Sequence, residues 1–230
     1  MIEQVLPPAV RTAEAFADPD RADDLLFPQE AAHIARRAER RRREFATVRL
    51  CARAAMSQLG VPPVPLLPGA RGGPVWPAGV VGSMTHCDGY RAAAVVRSSE
   101  FTAVGIDAEP HAGLREGVLD LIASASERRH LGELARTAAP VHWDRLLFCA
   151  KEAVYKTWSP LTDRWLEFGE VEVSVDPVAG TFQARLLVPG DCPDGRVLTG
   201  FDGRWHVAGG FVLAGIAFAA SAHPPDPRAE

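Results

Sequence analysis

Apolar positions recur at helical spacing through the first third of the chain. Ile34, Phe45, Val48, Ala52, Ala55, Met56 and Leu59 fall on one stripe. The pattern predicts one long helix over 23–60, with Pro28 in its first turn and Gly60 at its stop. Residues 61–79, VPPVPLLPGARGGPVWPAG, hold six prolines and four glycines and follow no period, so they read as a loop. Two strands are predicted in VVGSMTHCDGYRAAAVVRS (80–98), turning at Cys87–Asp88–Gly89, and a third in FTAVGIDAEP (101–110). SERRHLGELAR (126–136) predicts a short helix capped by Ser126. VHWDRLLFCAKEAVYKTW (141–158) predicts a stronger one, ended by Pro160. Hairpins are predicted in 170–188, around Pro177–Gly180, and in 203–221, around Gly209–Gly210.

A helix bearing basic residues, followed by antiparallel strands, occurs twice, and GYRAAAVVRS echoes GFVLAGIAFAAS. The expected class is α+β, with two similar lobes and a cleft between them, a favoured setting for a small-molecule site. The lobes are placed at 1–102 and 103–222, and HPPDPRAE (223–230) reads as a disordered tail.

Composition narrows the classes. With 230 residues, 47% hydrophobic and 23% charged, the chain can bury a sizeable core. A net charge of −4 gives no global basic field for nucleic acid, although RRAERRRREF (36–45) is a local basic block. The four cysteines (Cys51, Cys87, Cys149, Cys192) have no paired spacing, which sets aside a zinc knuckle or a redox dithiol. The N-terminus lacks a secretory signal, and the longest apolar run, 210–220, is too short to span a bilayer. A cytoplasmic protein with no membrane partner is expected.

The stretch VGIDAEP places Asp107 and Glu109 on one face of a strand, where like charges repel unless a cation stands between them. With Glu152 from the later helix they offer three oxygen ligands to a hard cation, which suggests Mg²⁺ at a phosphate with Lys156 as an added charge. Glu152 and Lys156 share a helix face, and a solvated surface pair is the ordinary reading of that spacing. Arg49 and Arg53 are also four apart, with Arg41 about two turns earlier. They form either a solvated basic face or a phosphate clamp. Arg71 lies among glycines whose size would admit a phosphate to backbone N–H groups. His86 and Cys87 find no partner at a recognisable spacing, so a structural role is the ordinary reading of both.

RRRREFATVRLCARAAMSQLG, RGGPVWPAGVVGSMTHC, GIDAEP and FCAKEAVYKTW, in this order, resemble the Sfp-type 4′-phosphopantetheinyl transferases. The continuation WSPLTDRWLEF is closer to the enterobactin-synthase-component branch, its actinobacterial members above all. The resemblance implies a pseudo-twofold, two-lobed α+β monomer, its antiparallel sheets each packed with a long helix. Coenzyme A and Mg²⁺, with Mn²⁺ as the alternative ion, would bind between the lobes. The phosphopantetheine arm would pass to a serine of apo acyl or peptidyl carrier proteins, which are acidic, with release of adenosine 3′,5′-bisphosphate.

The same resemblance assigns Asp107, Glu109 and Glu152 to the metal and Lys156 to the pyrophosphate. It assigns Arg41 and Arg49 to the 3′-phosphate, Thr85 and His86 to a phosphate, and Trp165 and Leu166 to the pantetheine arm. Glu152, Lys156 and His86 are the expected catalytic groups, Glu152 as base either directly or through a metal-bound water. One departure stands out: many members carry lysine before the proline where this chain has Gly72–Gly73–Pro74, and Arg71 is the nearest charge. Carrier docking falls to the basic block 36–43 or to Arg128, Arg129 and Arg136. The rivals are a Mg²⁺-dependent phosphohydrolase or nuclease, which would need no carrier, and a non-catalytic nucleic-acid-binding module, which would need no metal.

Overall fold

A computed structural model describes residues 1–137, 140–192 and 195–220; the expected tail 223–230 lies outside them. In chain order, strand β1 (Arg11–Ala15) is followed by helices α1 (Pro28–Ile34) and α2 (Glu39–Ser57). Strands β2 (Val80–Cys87), β3 (Tyr90–Arg97) and β4 (Phe101–Pro110) come next, then helices α3 (Val118–Ile122), α4 (Ala125–Thr137) and α5 (Trp143–Thr162). Strands β5 (Val171–Asp176), β6 (Thr181–Asp191), β7 (Val197–Ala208) and β8 (Phe211–Ala219) complete the order. Antiparallel pairing makes a three-stranded sheet, β1-β3-β2, and a five-stranded sheet, β4-β8-β7-β6-β5. Helix α2 packs on the first and α5 on the second. The expected α+β class, one long helix to each sheet, is what forms.

The turn signals work locally. Asp88–Gly89 joins paired Cys87 and Tyr90, with Gly89 at φ +76°. Gly209 and Gly210, at φ +58° and +83°, join Ala208 to Phe211. Such backbone favours glycine, and it matches the twist of a tight hairpin. Strand β1 gave no sequence signal because RTAEA is short and lacks large apolar residues.

Three boundaries differ from expectation. The helix predicted over 23–60 is two helices with a break at 35–38, because no large apolar side chain between Ile34 and Phe45 can hold a continuous helix to the core. Ser124, not Ser126, caps α4: its Oγ accepts the Glu127 N–H at 3.2 Å, and the Glu127 carboxylate accepts the Ser124 N–H at 2.7 Å. Pro160 does not end α5, which runs on to Thr162. Burial of Trp158 and Leu161 holds that last turn against the sheet, and Asp163, in left-handed backbone, closes it through its N–H to Ser159 O.

The buried residues described form three apolar clusters, one of which spans both sheets. One cluster sets Leu146, Ala150, Val154 and Trp158 of α5 on Val173, Phe182 and Val212. A second sets Ala52, Ala55 and Met56 of α2 on Ala93 and Val95. A third joins the two sheets: Ile2, Val5, Ala92 and Ala94 pack with Ile106, Ala108 and Leu213. At this junction β2 and β4 lie side by side without a backbone ladder. The Ile106 and Ala108 N–H groups donate instead to Ser83 Oγ at 3.1 Å and Thr85 Oγ1 at 3.2 Å.

Candidate active site

Strand β4 alternates its environments. Ile106 and Ala108 enter the junction core, so Gly105, Asp107 and Glu109 face the other way, toward α5. Glycine at 105 is what lets the helix approach. A Cβ there would stand 2.2 Å from both Ala153 O and Thr157 Oγ1. Along α5, Arg145, Cys149, Glu152 and Lys156 share a face at spacings of three and four. The helix therefore lays charged groups over charged groups.

Lys156 Nζ donates to Asp107 Oδ1 at 2.7 Å, and Thr85 Oγ1 donates to the same oxygen at 3.0 Å. Arg145 Nη1 donates to Glu109 Oε2 at 2.9 Å, while its other nitrogens hold the carbonyls of Ala112 and Gly113. Burial pushes the Glu109 and Glu152 carboxyls above their ordinary range, and Asp107 pushes both further. Burial would lower the Lys156 ammonium, but Asp107 and then Glu152 outweigh it and raise it. The Cys149 thiol faces this group, and burial, then Asp107, hold it well above its usual value. It is no nucleophile.

Among the described residues no three His, Cys, Asp or Glu side chains are drawn together as a finished metal cage. The expected three-carboxylate cage is therefore not preassembled: Glu109 lies on Arg145, and Asp107 Oδ1 on Lys156 and Thr85. The donors nonetheless fit a hard cation. Asp107 is 5% exposed, and its Oδ2 is buried with no hydrogen-bond partner among the described residues. An anionic oxygen in that position is costly unless a cation reaches it. Two further carboxyls, raised by burial and repulsion, stand in the same field.

A second group lies at the end of β2. The Arg41 guanidinium meets His86 Nε2 and comes within 3.5 Å of Glu44 Oε2. Burial and then the Arg41 charge push the His86 imidazole down to about 4. Arg41 is exposed and His86 half-buried.

Arg49 behaves differently. It is buried, its Nε donates to Leu66 O at 2.8 Å, and its guanidinium lies 3.1 Å over the Phe45 ring. Glu30, fully buried, stands 3.8 Å away and is bound by Arg53. Burial lowers the Arg49 guanidinium to about 10. Its surroundings are thus those of a core residue behind Arg41 rather than of an open clamp.

Arg71 donates to the side chain and carbonyl of Asp163 at the end of α5, tying the proline-rich loop to the second lobe. Two of the glycine N–H groups around it close on the loop itself, Gly69 to Gly73 O and Gly72 to Gly69 O. Thr85, expected at a phosphate, has its hydroxyl engaged on Asp107 and Ala108.

Trp165 and Leu166 do line a cavity of about 440 Å³, together with Glu152, Tyr155 and Phe168. Trp165, 61% exposed, stacks on Tyr155 with centroids 5.1 Å apart. The basic block is largely spent within the protein: Arg40 on Glu44, Arg42 on Asp23 and Arg43 on Glu39. Arg128 meets Asp120, while Arg129 and Arg136 are exposed.

Sequence reasoning missed Arg145, Glu44 and Tyr155. Arg145 was findable, since it falls seven residues before Glu152 on one helix face. Glu44 and Tyr155 acquire their neighbours only through contacts distant in sequence.

Known proteins resemble this chain along nearly its whole length. A family model described as the 4′-phosphopantetheinyl transferase N-terminal domain matches residues 29–96, and one described as the 4′-phosphopantetheinyl transferase superfamily matches residues 103–206. The 4′-phosphopantetheinyl transferase Svp of Streptomyces mobaraensis is 56% identical, over 100% of this chain and 94% of that protein. Npt of Nocardia iowensis, a 4′-phosphopantetheinyl transferase, is 52% identical over 95% and 100%. PptT of Mycobacterium tuberculosis, also a 4′-phosphopantetheinyl transferase, is 48% identical over 94% and 97%.

Proposed function

This chain belongs to the 4′-phosphopantetheinyl transferase superfamily, and we propose that it moves the phosphopantetheine arm of coenzyme A onto a serine of an apo carrier protein. The observation that carries this reading is the crossing of β4 and α5 at Gly105, which joins Lys156 to Asp107 beside Glu152. The serine Oγ forms a bond to the β-phosphorus, the bond from that phosphorus to the bridging oxygen breaks, and adenosine 3′,5′-bisphosphate leaves. Positioning and charge stabilisation dominate such transfers.

Asp107, Glu109 and Glu152 would hold a divalent cation, Mg²⁺ for its preference for oxygen donors, with Mn²⁺ the alternative. When bound, that ion supplies neutralisation of the pyrophosphate charge. Glu109 would have to share its carboxylate with Arg145 or leave it. Lys156 orients the departing phosphate. Glu152 takes the serine proton on a carboxylate oxygen, and the burial that raises its pKa favours that role. Arg41 and His86 receive the nucleotide 3′-phosphate, with Arg49 adding positive field from behind. Trp165, Leu166 and Tyr155 wall the cavity that takes the pantetheine arm.

Both lobes lie in one chain, so a monomer suffices, and cysteines without paired spacing suit a reducing cytoplasm. No helix among the described residues is long and apolar enough to cross a membrane. An acidic carrier surface would complement the exposed Arg129 and Arg136. The test is intact-mass analysis of an apo carrier incubated with this protein, coenzyme A and Mg²⁺. A gain of one phosphopantetheine, lost in EDTA, supports the proposal; phosphate release from coenzyme A without modification of the carrier would replace it with a hydrolase.

A further inference from the structure

The junction of the two sheets meets the metal-binding carboxylate at one side chain. On β4, alternate N–H groups point to opposite edges: one set pairs with β8, and the other, Ile106 and Ala108, points at β2. An unpaired edge buried in a core leaves N–H groups without acceptors, at a cost comparable to a lost hydrogen bond for each. Ser83 and Thr85 provide those acceptors from their side chains. Both are almost completely buried, at 4% and 2% exposure.

The two hydroxyls then part company. Ser83 serves the Ile106 amide. Thr85 accepts from Ala108 and also spends its single proton on Asp107 Oδ1 at 3.0 Å. Lys156 donates to the same oxygen at 2.7 Å. Two donors from different elements stop rotation of the carboxylate and reserve Oδ2, buried and unpartnered, for another cation. Resting on the reading of Asp107 as a metal ligand, we infer that Thr85 is a positioning residue: it aims Asp107 and links metal affinity to the contact between the sheets. In this arrangement the hydroxyl proton is directed at Asp107, on the protein side of the site.

The test is Mn²⁺ titration of the whole protein, followed by the resonance signal of the free ion, with and without coenzyme A. Coenzyme A affinity is measured separately in EDTA. Thr85→Val keeps the shape and removes the hydroxyl, and the Mn²⁺ dissociation constant should rise about 10–100-fold, the range for losing a partner of a metal-ligating side chain. Thr85→Ser should restore it. Ser83→Ala, which cuts the neighbouring junction bond but touches no carboxylate, should leave it unchanged, and Thr85→Val should leave coenzyme A affinity in EDTA unchanged. Should Thr85→Val fail to fold, Thr85→Cys, with a weak donor of similar volume, is read in its place. Wild-type Mn²⁺ affinity in the hydroxyl-free variant overturns the inference. So does an equal loss in Ser83→Ala, or a matching loss of coenzyme A binding in EDTA. Asp107→Asn separates the levels: undiminished Mn²⁺ affinity there removes Asp107 from the metal site, whereas a loss there without one at Thr85 removes only the positioning role.

Discussion

Helix α5 carries two lysine–carboxylate pairs five residues apart, and they are built to opposite ends. Lys151 is 2% exposed and its Nζ is fully occupied: its three N–H groups are shared among Glu127 and the carbonyls of Ile122, Phe168 and Val171, all within 3.0 Å. Glu127 is completed by the N–H groups of Ser124 and Val173. Every charge there is answered by the protein. Among the described residues, Lys156 donates to Asp107, and that carboxylate keeps a buried oxygen with no partner, with Glu152 adding further negative charge. Burial lowers the Lys151 ammonium in spite of Glu127, whereas around Lys156 the surrounding acids win and raise it. A saturated pair locks elements together. An unsaturated one holds charge in readiness for something brought from outside.

The largest functional loss is expected at the acid beside the open pair. Glu152→Gln should cut carrier modification about 10²–10⁴-fold, the usual worth of a positioned base. Single-turnover assays with unchanged thermal unfolding would check it, and near-normal turnover would remove Glu152 from that role. The closed pair should answer in stability instead. Lys151→Met leaves a buried carboxylate uncompensated and should cost about 3–5 kcal/mol in denaturant unfolding. Adding Glu127→Gln should recover part of that loss. Lys156→Met should lose less stability than Lys151→Met and more turnover; the reverse order would erase the distinction between the pairs.

A smaller effect is expected at the outer group. Arg41→Ala should weaken coenzyme A about 10-fold, as for loss of a charge-assisted hydrogen bond, and 3′-dephospho-coenzyme A hardly at all. Equal losses by calorimetry for both ligands would count against a 3′-phosphate at Arg41.

The smallest effect concerns pH. His86 falls from an ordinary 6.5 to about 4 in the folded protein, so the unfolded chain binds its proton first. Stability should fall as pH drops from about 6.5 to about 4, and His86→Gln should flatten that part of the profile. A phosphate bound beside the ring should raise the His86 pKa, visible by NMR titration with coenzyme A.

How far the site was legible follows from the same contrast. Asp107, Glu109, Glu152 and Lys156 could be named from types and spacing because strand and helix periods put each pair on one face. That Glu109 rests on Arg145, that Thr85 turns inward and that Arg49 is buried against Leu66 could not. Each depends on a partner far away in the chain, and a basic side chain reads alike whether it faces solvent or a core. The same blindness joined α1 to α2 across 35–38, since helical propensity continued where packing did not.

The hairpins, the proline-rich loop, the two long helices and the kinds of donor atom in the site can be read from the chain alone, because turn chemistry, periodicity and side-chain type are local properties. Only the tertiary structure decided which cation sits on which acid and which acid oxygen is left open. Those outcomes depend on burial and on the approach of α5 to β4 at Gly105, a contact between segments some forty to fifty residues apart.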